Sequence, residues 1–205
     1  LRTLVLDTAT AACSVALIED GHIVDARHDV VGRGHAEHLL PMVAELAESG
    51  RADAILVDCG PGSFTGVRVG IAAARGLGLG WEVPVHGYSS LPLLAAAHFS
   101  NHPDCEALAV VLEGGHGEVF MQHFATSPFR TLGDLSSQRP DAALITLGEL
   151  PAIGSGVRHL TALDSAVHAT EALPRAVDAL LLPTEFVRLA PRPIYGRAPD
   201  AKPKP

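Results

Sequence analysis

A mixed α/β fold, with one sheet flanked by helices, is what this sequence predicts, and three features predict it. Residues 4–30 hold three short runs of β-formers, two of them joined by Asp20-Gly21, a strong hairpin signal. After Gly34 the apolar spacing changes to the three-and-four pattern of a helix. From residue 54 onward short apolar runs alternate with longer helical ones, the pattern of parallel strands joined by crossover helices.

Leu4-Val5-Leu6 reads as a buried strand ending at Asp7. Residues 13–19, with Val15 and Leu17 on one face, form the second strand and residues 23–30 the third, so the chain opens on an antiparallel meander. Leu39, Leu40, Val43, Leu46 and Ala47 share one side of a helix over 36–48. Gly50 is a natural stop, and Pro41 either starts this helix near Leu40 or bends it. A strand at 54–57, a helix at 64–79, a strand at 83–86 and a helix at 90–99 follow. Ser89 or Ser90 can cap the last of these, with Pro92 in its first turn. The order β-β-β-α-β-α-β-α is that of the ribonuclease-H-like half-domain, which also builds actin and the sugar kinases. That likeness concerns the fold and carries no function by itself.

The stretch 58–80 organises this half. Gly60-Pro61-Gly62-Ser63 makes a tight loop, and Ser63 or Thr65 can cap the helix that follows. Inside the helix Gly66, Gly70, Ala74 and Gly78 recur every fourth residue and lie on one stripe. Each interior Gly costs roughly 1 kcal/mol relative to Ala, so close approach of another backbone must offset the loss. That backbone belongs either to the chain's own core or to another subunit.

The second half carries weaker signals. Residues 108–112 and 119–124 read as two strands joined through Gly114-Gly115-His116-Gly117, 126–141 as loop-rich, and 144–147 as a strand. Gly154-Ser155-Gly156 reads as a turn and 174–182 as a short helix. From Ala190 the Pro-rich chain is expected to be extended and partly disordered. The expected units are an actin-like N-terminal subdomain at 1–100, a truncated second α/β subdomain at 101–190, and a Pro-rich tail at 191–205.

Composition excludes several chemistries. A hydrophobic content of 47% with 19% charged residues supports a real core, and the net charge of −8 argues against a stand-alone nucleic-acid binder. Cys13, Cys59 and Cys105 are odd in number and widely spaced, which fits a reduced, cytoplasmic protein. No signal peptide is visible, and the apolar stretch 66–81 is short and carries Arg68 and Arg75, so no membrane span is expected. The only lysines are Lys202 and Lys204, in the tail, which disfavours lysine-dependent phosphate loops and Schiff-base enzymes.

Few residues suggest chemistry. Asp7-Thr8-Ala9-Thr10 stands where actin-like ATPases have an Asp-x-Gly-Thr phosphate turn, but Ala9 hinders close approach of a phosphate. The loop with Gly62 and Ser63 opens a helix and offers free N–H groups to an anion. Asp7, Thr8, Gly62 and Ser63 are therefore a weak nucleotide or anion contact, set against the plainer reading of two structural turns. His35 and His38 can share a helical face, yet no third metal ligand is identifiable. Ser63 is followed by Phe64-Thr65-Gly66, which is not a nucleophile elbow. No catalytic residue, metal or cofactor is expected.

Several segments resemble one family in sequence order: LDTATAACSVAL, HAEHLLPMV, GPGSFTGVRVGIAAARGLGLG, VPVHGYSSL, GHGEVF and, near the end, PIYGR. On these the chain is identified as a member of the bacterial TsaB (YeaZ) family. The resemblance implies an actin-like fold and a non-catalytic scaffold, needed with a TsaD-type catalytic partner. Together they form threonylcarbamoyladenosine next to the anticodon of tRNAs reading codons that begin with A. It also implies a TsaE-like ATPase as third component, a homodimer when the chain is alone, and tRNA contact only through the complex. The first two helices are implied as the interface, with Leu39, Leu40, Val43, Leu46, Gly66, Gly70, Ala74 and Gly78 as its residues. The alternative is an actin-like nucleotide-binding enzyme or a metallopeptidase-like glycoprotease homologue.

Overall fold

A computed structural model describes residues 1–196. Its first sheet has five strands: β1 (Arg2–Asp7), β2 (Ala12–Glu19), β3 (His22–Val30), β4 (Ala54–Asp58) and β5 (Val85–Tyr88), in the order β3-β2-β1-β4-β5. β1, β2 and β3 are antiparallel, whereas β4 and β5 run parallel to β1. Asp20 and Gly21 turn the β2–β3 hairpin with φ of 48° and 79°. This is the actin-like α/β arrangement that the order of elements predicts.

The helices between the strands are α1 (His35–Ala44), α2 (Phe64–Trp81) and α3 (Ser90–Asn101). α1 is shorter than the 36–48 expected. It passes through Pro41 and stops at Ala44; Leu46 is extended, and Glu48 and Ser49 take positive φ within a short 3-10 segment, Ala47–Gly50. Ser63, not Thr65, caps α2, its Oγ accepting from the Gly66 N–H at 3.2 Å. Ser89 caps α3 in the same way through the Leu91 N–H.

The second sheet is built on the hairpin β6 (Ala107–Gly115) and β7 (Glu118–Thr126). β8 (Phe129–Thr131) and β9 (Ser136–Gln138) pair with β7, so 126–141 is not the loop-rich stretch expected. The expected strand at 144–147 is instead the end of a helix, α4 (Pro140–Leu147). Pro140 in its first turn and the i,i+4 pair Ala143 and Leu147, both buried, fit a helix; a short apolar run does not distinguish the two periods. β10 (Ala152–Ile153), α5 (Val157–Thr161) and β11 (Ala169–Thr170) complete this half.

The chain then returns to the first sheet, so the end of the stretch 101–190 packs on the first half. Ala176, Ala179 and Leu182 bury against Val5, Ala16 and Ile18, on the face opposite α1 and α2. Leu189 and Gly87 exchange backbone hydrogen bonds of 2.7 and 3.0 Å, and Ile194 N–H donates to the Cys59 carbonyl at 2.8 Å. The tail is thus extended, as read, but residues 189–196 are fastened to the first half. The rest of the tail, 197–205, lies outside the described residues.

Candidate functional site

Three polar side chains end the parallel strands: Asp7 on β1, Asp58 on β4 and Tyr88 on β5. In open α/β sheets this edge is where ligands bind. Here it is sealed. Asp7, Asp58 and Tyr88 have no exposed surface. The Tyr88 hydroxyl donates to Asp7 Oδ2 at 2.7 Å, and the Gly60 N–H and Ser90 hydroxyl donate to the two oxygens of Asp58 at 2.7 and 2.5 Å. The two carboxyls lie together in this buried cluster and shift each other's titration. Burial raises both above the usual carboxylate range, and the Asp7 charge raises Asp58 further.

The lid over these carboxyls is made by glycines. A Cβ at Gly62 would overlap the Ala9 carbonyl, and one at Gly66 the Thr8 carbonyl. Ser63 N–H donates to Ala9 O at 2.7 Å, and the Thr8 hydroxyl donates to Gly66 O at 2.7 Å. A Cβ at Gly70 would press on the Thr8 side chain and one at Gly78 on that of Val85. The stripe Gly66, Gly70, Ala74, Gly78 therefore seats α2 on its own sheet. Leu39, Val43 and Leu46 are buried in the same core. Of the interface residues inferred from sequence, only Leu40 faces outward, at 50% exposure.

The outward face of α2 carries a second run of apolar and small residues that sequence reasoning missed. Ala72, Gly76 and Leu79 are exposed, Leu79 at 83%, and Val69 and Ala73 beside them are half-buried against the core. A Cβ at Gly76 would meet nothing within 4 Å. The signal was present, since these positions interleave with the glycine stripe, but spacing alone does not say which stripe faces in.

Between the two sheets lies a cleft of about 1030 Å³. Gly62 and Ser63 line it, while Asp7 and Thr8 lie in the core beneath, so the four residues read as an anion contact are split between wall and core. Arg68 stands between two rings on this wall, 3.3 Å from the Phe64 centroid and 5.5 Å from that of Tyr195. It also donates to Phe64 O at 2.7 Å and to the Tyr195 hydroxyl at 3.0 Å. Glu113, the acidic residue of the wall, is held by Arg158 and His159.

Other sequence candidates do not assemble. His35 is buried with Nε2 3.1 Å from Ala12 O, and His38 is exposed, so they do not converge. Among the described residues no three His, Cys, Asp or Glu side chains form a set able to hold a metal ion. Burial pushes the thiols of Cys13 and Cys59 up to about 11 and about 12, so neither supplies a thiolate at neutral pH. Among the described residues no helix is long and apolar enough to cross a membrane.

Comparison with known proteins places this geometry. Residues 27–179 match the family model described as TsaD, tRNA N6-adenosine threonylcarbamoyltransferase. The chain is 41% identical over 129 residues to the tRNA threonylcarbamoyladenosine biosynthesis protein TsaB of Escherichia coli, covering 60% of this chain and 55% of that protein. With the same-named protein of Haemophilus influenzae it is 38% identical over 136 residues, 64% and 57% of the two chains. The matches thus span little more than half the length of these curated relatives. The solved structure of YeaZ from Pseudomonas aeruginosa superposes with a TM-score of 0.78 at 30% identity, over 95% of this chain and 99% of that one.

Proposed function

The chain belongs to the TsaB (YeaZ) family, and on that footing we propose that it is a non-catalytic scaffold subunit in the formation of threonylcarbamoyladenosine on tRNA. Its partner is a TsaD-type catalytic subunit, with a TsaE-like ATPase as third component and a homodimer when the partner is absent. tRNA is reached through the complex, and the compartment is the cytoplasm. The observation that carries the reading is the outward face of α1 and α2. Leu40, Leu79 and the bare backbone at Gly76 present apolar surface to solvent. Small residues there let a partner helix approach closely, and two such helices from each side can bury the roughly 1,200 Å² that a specific interface needs.

The sealed carboxyl pair supports the non-catalytic part of the reading. A strand-end acid that is hydrogen-bonded on both oxygens and cut off from the cleft neither binds a metal nor takes a proton from a substrate. The enzyme alternative has no such support. The test is a tRNA modification assay with purified components and a threonylcarbamoyl donor. The TsaD-type protein of the same organism with this chain is expected to form the modified base, and either protein alone is not. Modified tRNA made by this chain alone would overturn the proposal.

A further inference from the structure

We propose that Asp25 and Arg27 form a guard on the edge strand β3 that keeps it from pairing with a second copy of this chain. β3 is the outer strand of the first sheet, with β2 on one side and, among the described residues, no strand on the other. The Ser14 hydroxyl donates to the Arg27 carbonyl at 3.3 Å, so that carbonyl points at β2. Backbone groups alternate in direction along an antiparallel strand, so the N–H and C=O of Ala26 point away from the sheet. Both are taken by side chains of the same strand. The Ala26 N–H donates to Asp25 Oδ1 at 2.8 Å, and Arg27 Nη1 donates to the Ala26 carbonyl at 2.8 Å. The two side chains are ion-paired with each other. Both are also anchored to the chain that follows α1: Asp25 Oδ2 accepts from the Ala47 N–H at 3.0 Å, and Arg27 Nη2 donates to the Glu45 carbonyl at 3.0 Å.

Without this guard the edge is open to pairing. His22–Val30 contains neither Lys nor Pro, the residues that commonly blunt an exposed edge. Ile23, Val24 and Val30 are β-branched and 51%, 42% and 66% exposed. An antiparallel pairing centred on Ala26 would bring Ile23 and Val24 of one copy beside Val30 of the other, and Asp25 opposite Arg27. The strand is thus complementary to itself in its apolar ends and in its charges, which makes a second copy the strand that the guard excludes. The inference goes beyond the subunit role and concerns an edge other than the outward α1–α2 face, so each can fail without the other.

Sedimentation of the full chain over a range of concentrations tests it, as wild type, as Asp25→Thr/Arg27→Thr, and as that double variant with Ala26→Pro added. Thr removes both charges and the reach of Arg27 while suiting a strand. The double variant, folded by circular dichroism, should form species heavier than any the wild type forms at the same concentration. Ala26→Pro deletes the outward N–H and leaves the bonds to β2 in place, so it should return the double variant to wild-type sedimentation. A folded double variant that sediments as the wild type, or one whose association Ala26→Pro leaves unchanged, overturns the proposal. If the double variant does not fold, amide exchange in the wild type decides. The Ala26 N–H should be protected about tenfold or more over the outward N–H of His28, which no side chain meets among the described residues; equal protection of the two overturns the proposal.

Discussion

Asp7 and Asp58, at the ends of two neighbouring parallel strands, lie inside a core that shows neither of them to solvent, Asp7 accepting from the Tyr88 hydroxyl and Asp58 from that of Ser90. Two carboxylates so placed cannot both ionise, and burial raises both. A group whose folded pKa is raised binds its proton more tightly when folded. Its stabilising effect is complete below the unfolded value and is lost as pH rises through the folded one. The melting temperature should therefore decline as pH rises from about 4 toward the folded value of Asp58. Asp58→Asn mimics the protonated form and should fold while flattening that decline. A wild-type melting curve that does not fall with pH in this window, or an Asp58→Asn curve with the same slope, would contradict a raised Asp58.

The two faces of α2 should respond oppositely to one added methyl group. Gly66→Ala drives a Cβ into the Thr8 carbonyl, a backbone atom that cannot rotate away, and should destabilise the chain by about 2 kcal/mol or more. Gly76→Ala meets open space and gains helix propensity, so it should stabilise by about 0.5–1 kcal/mol. Urea midpoints of the two variants check the sign of each effect.

The strap at 189–196 covers Cys59, whose Sγ lies 3.7 Å from the Ala190 carbonyl. In the native chain only the half-buried Cys105 should react readily with a disulfide reagent, since Cys13 and Cys59 are buried. Ending the chain after Arg188 should bring Cys59 into reaction while Cys13 stays protected. Equal protection of Cys59 in the shortened chain would mean that the strap does not cover it.

Much of the first half was legible because its signals are local. Asp20-Gly21 states its own turn, the sequence narrows the cap of α2 to Ser63 or Thr65, and the strands β1, β2 and β4 carry apolar runs. The second half was misread where the signal was short. The apolar run at 144–147 fits either period, and only Pro140, Ala143 and Leu147 together make it a helix. The site failed to read for another reason. A stripe of small residues says that something packs closely and does not say what, and Gly66 packs on Thr8 of the same chain. The Arg68–Tyr195 contact joins residues 127 positions apart, which no periodicity encodes.

The proposed docking of a TsaD-type partner on the outward face of α1 and α2 is tested by the affinity of that pair. Leu79 is the largest side chain of the apolar run, 83% exposed at its C-terminal end, and Ile145 of α4 is 85% exposed on the other half. A charge at a central contact should be costly, because an unpaired buried ion loses several kcal/mol. Sedimentation of this chain with the partner from the same organism should show Leu79→Glu, folded by circular dichroism, weakened about thirtyfold or more. Ile145→Glu should bind as the wild type does. Wild-type affinity in Leu79→Glu, or loss of binding in Ile145→Glu, would place the interface elsewhere and contradict the account.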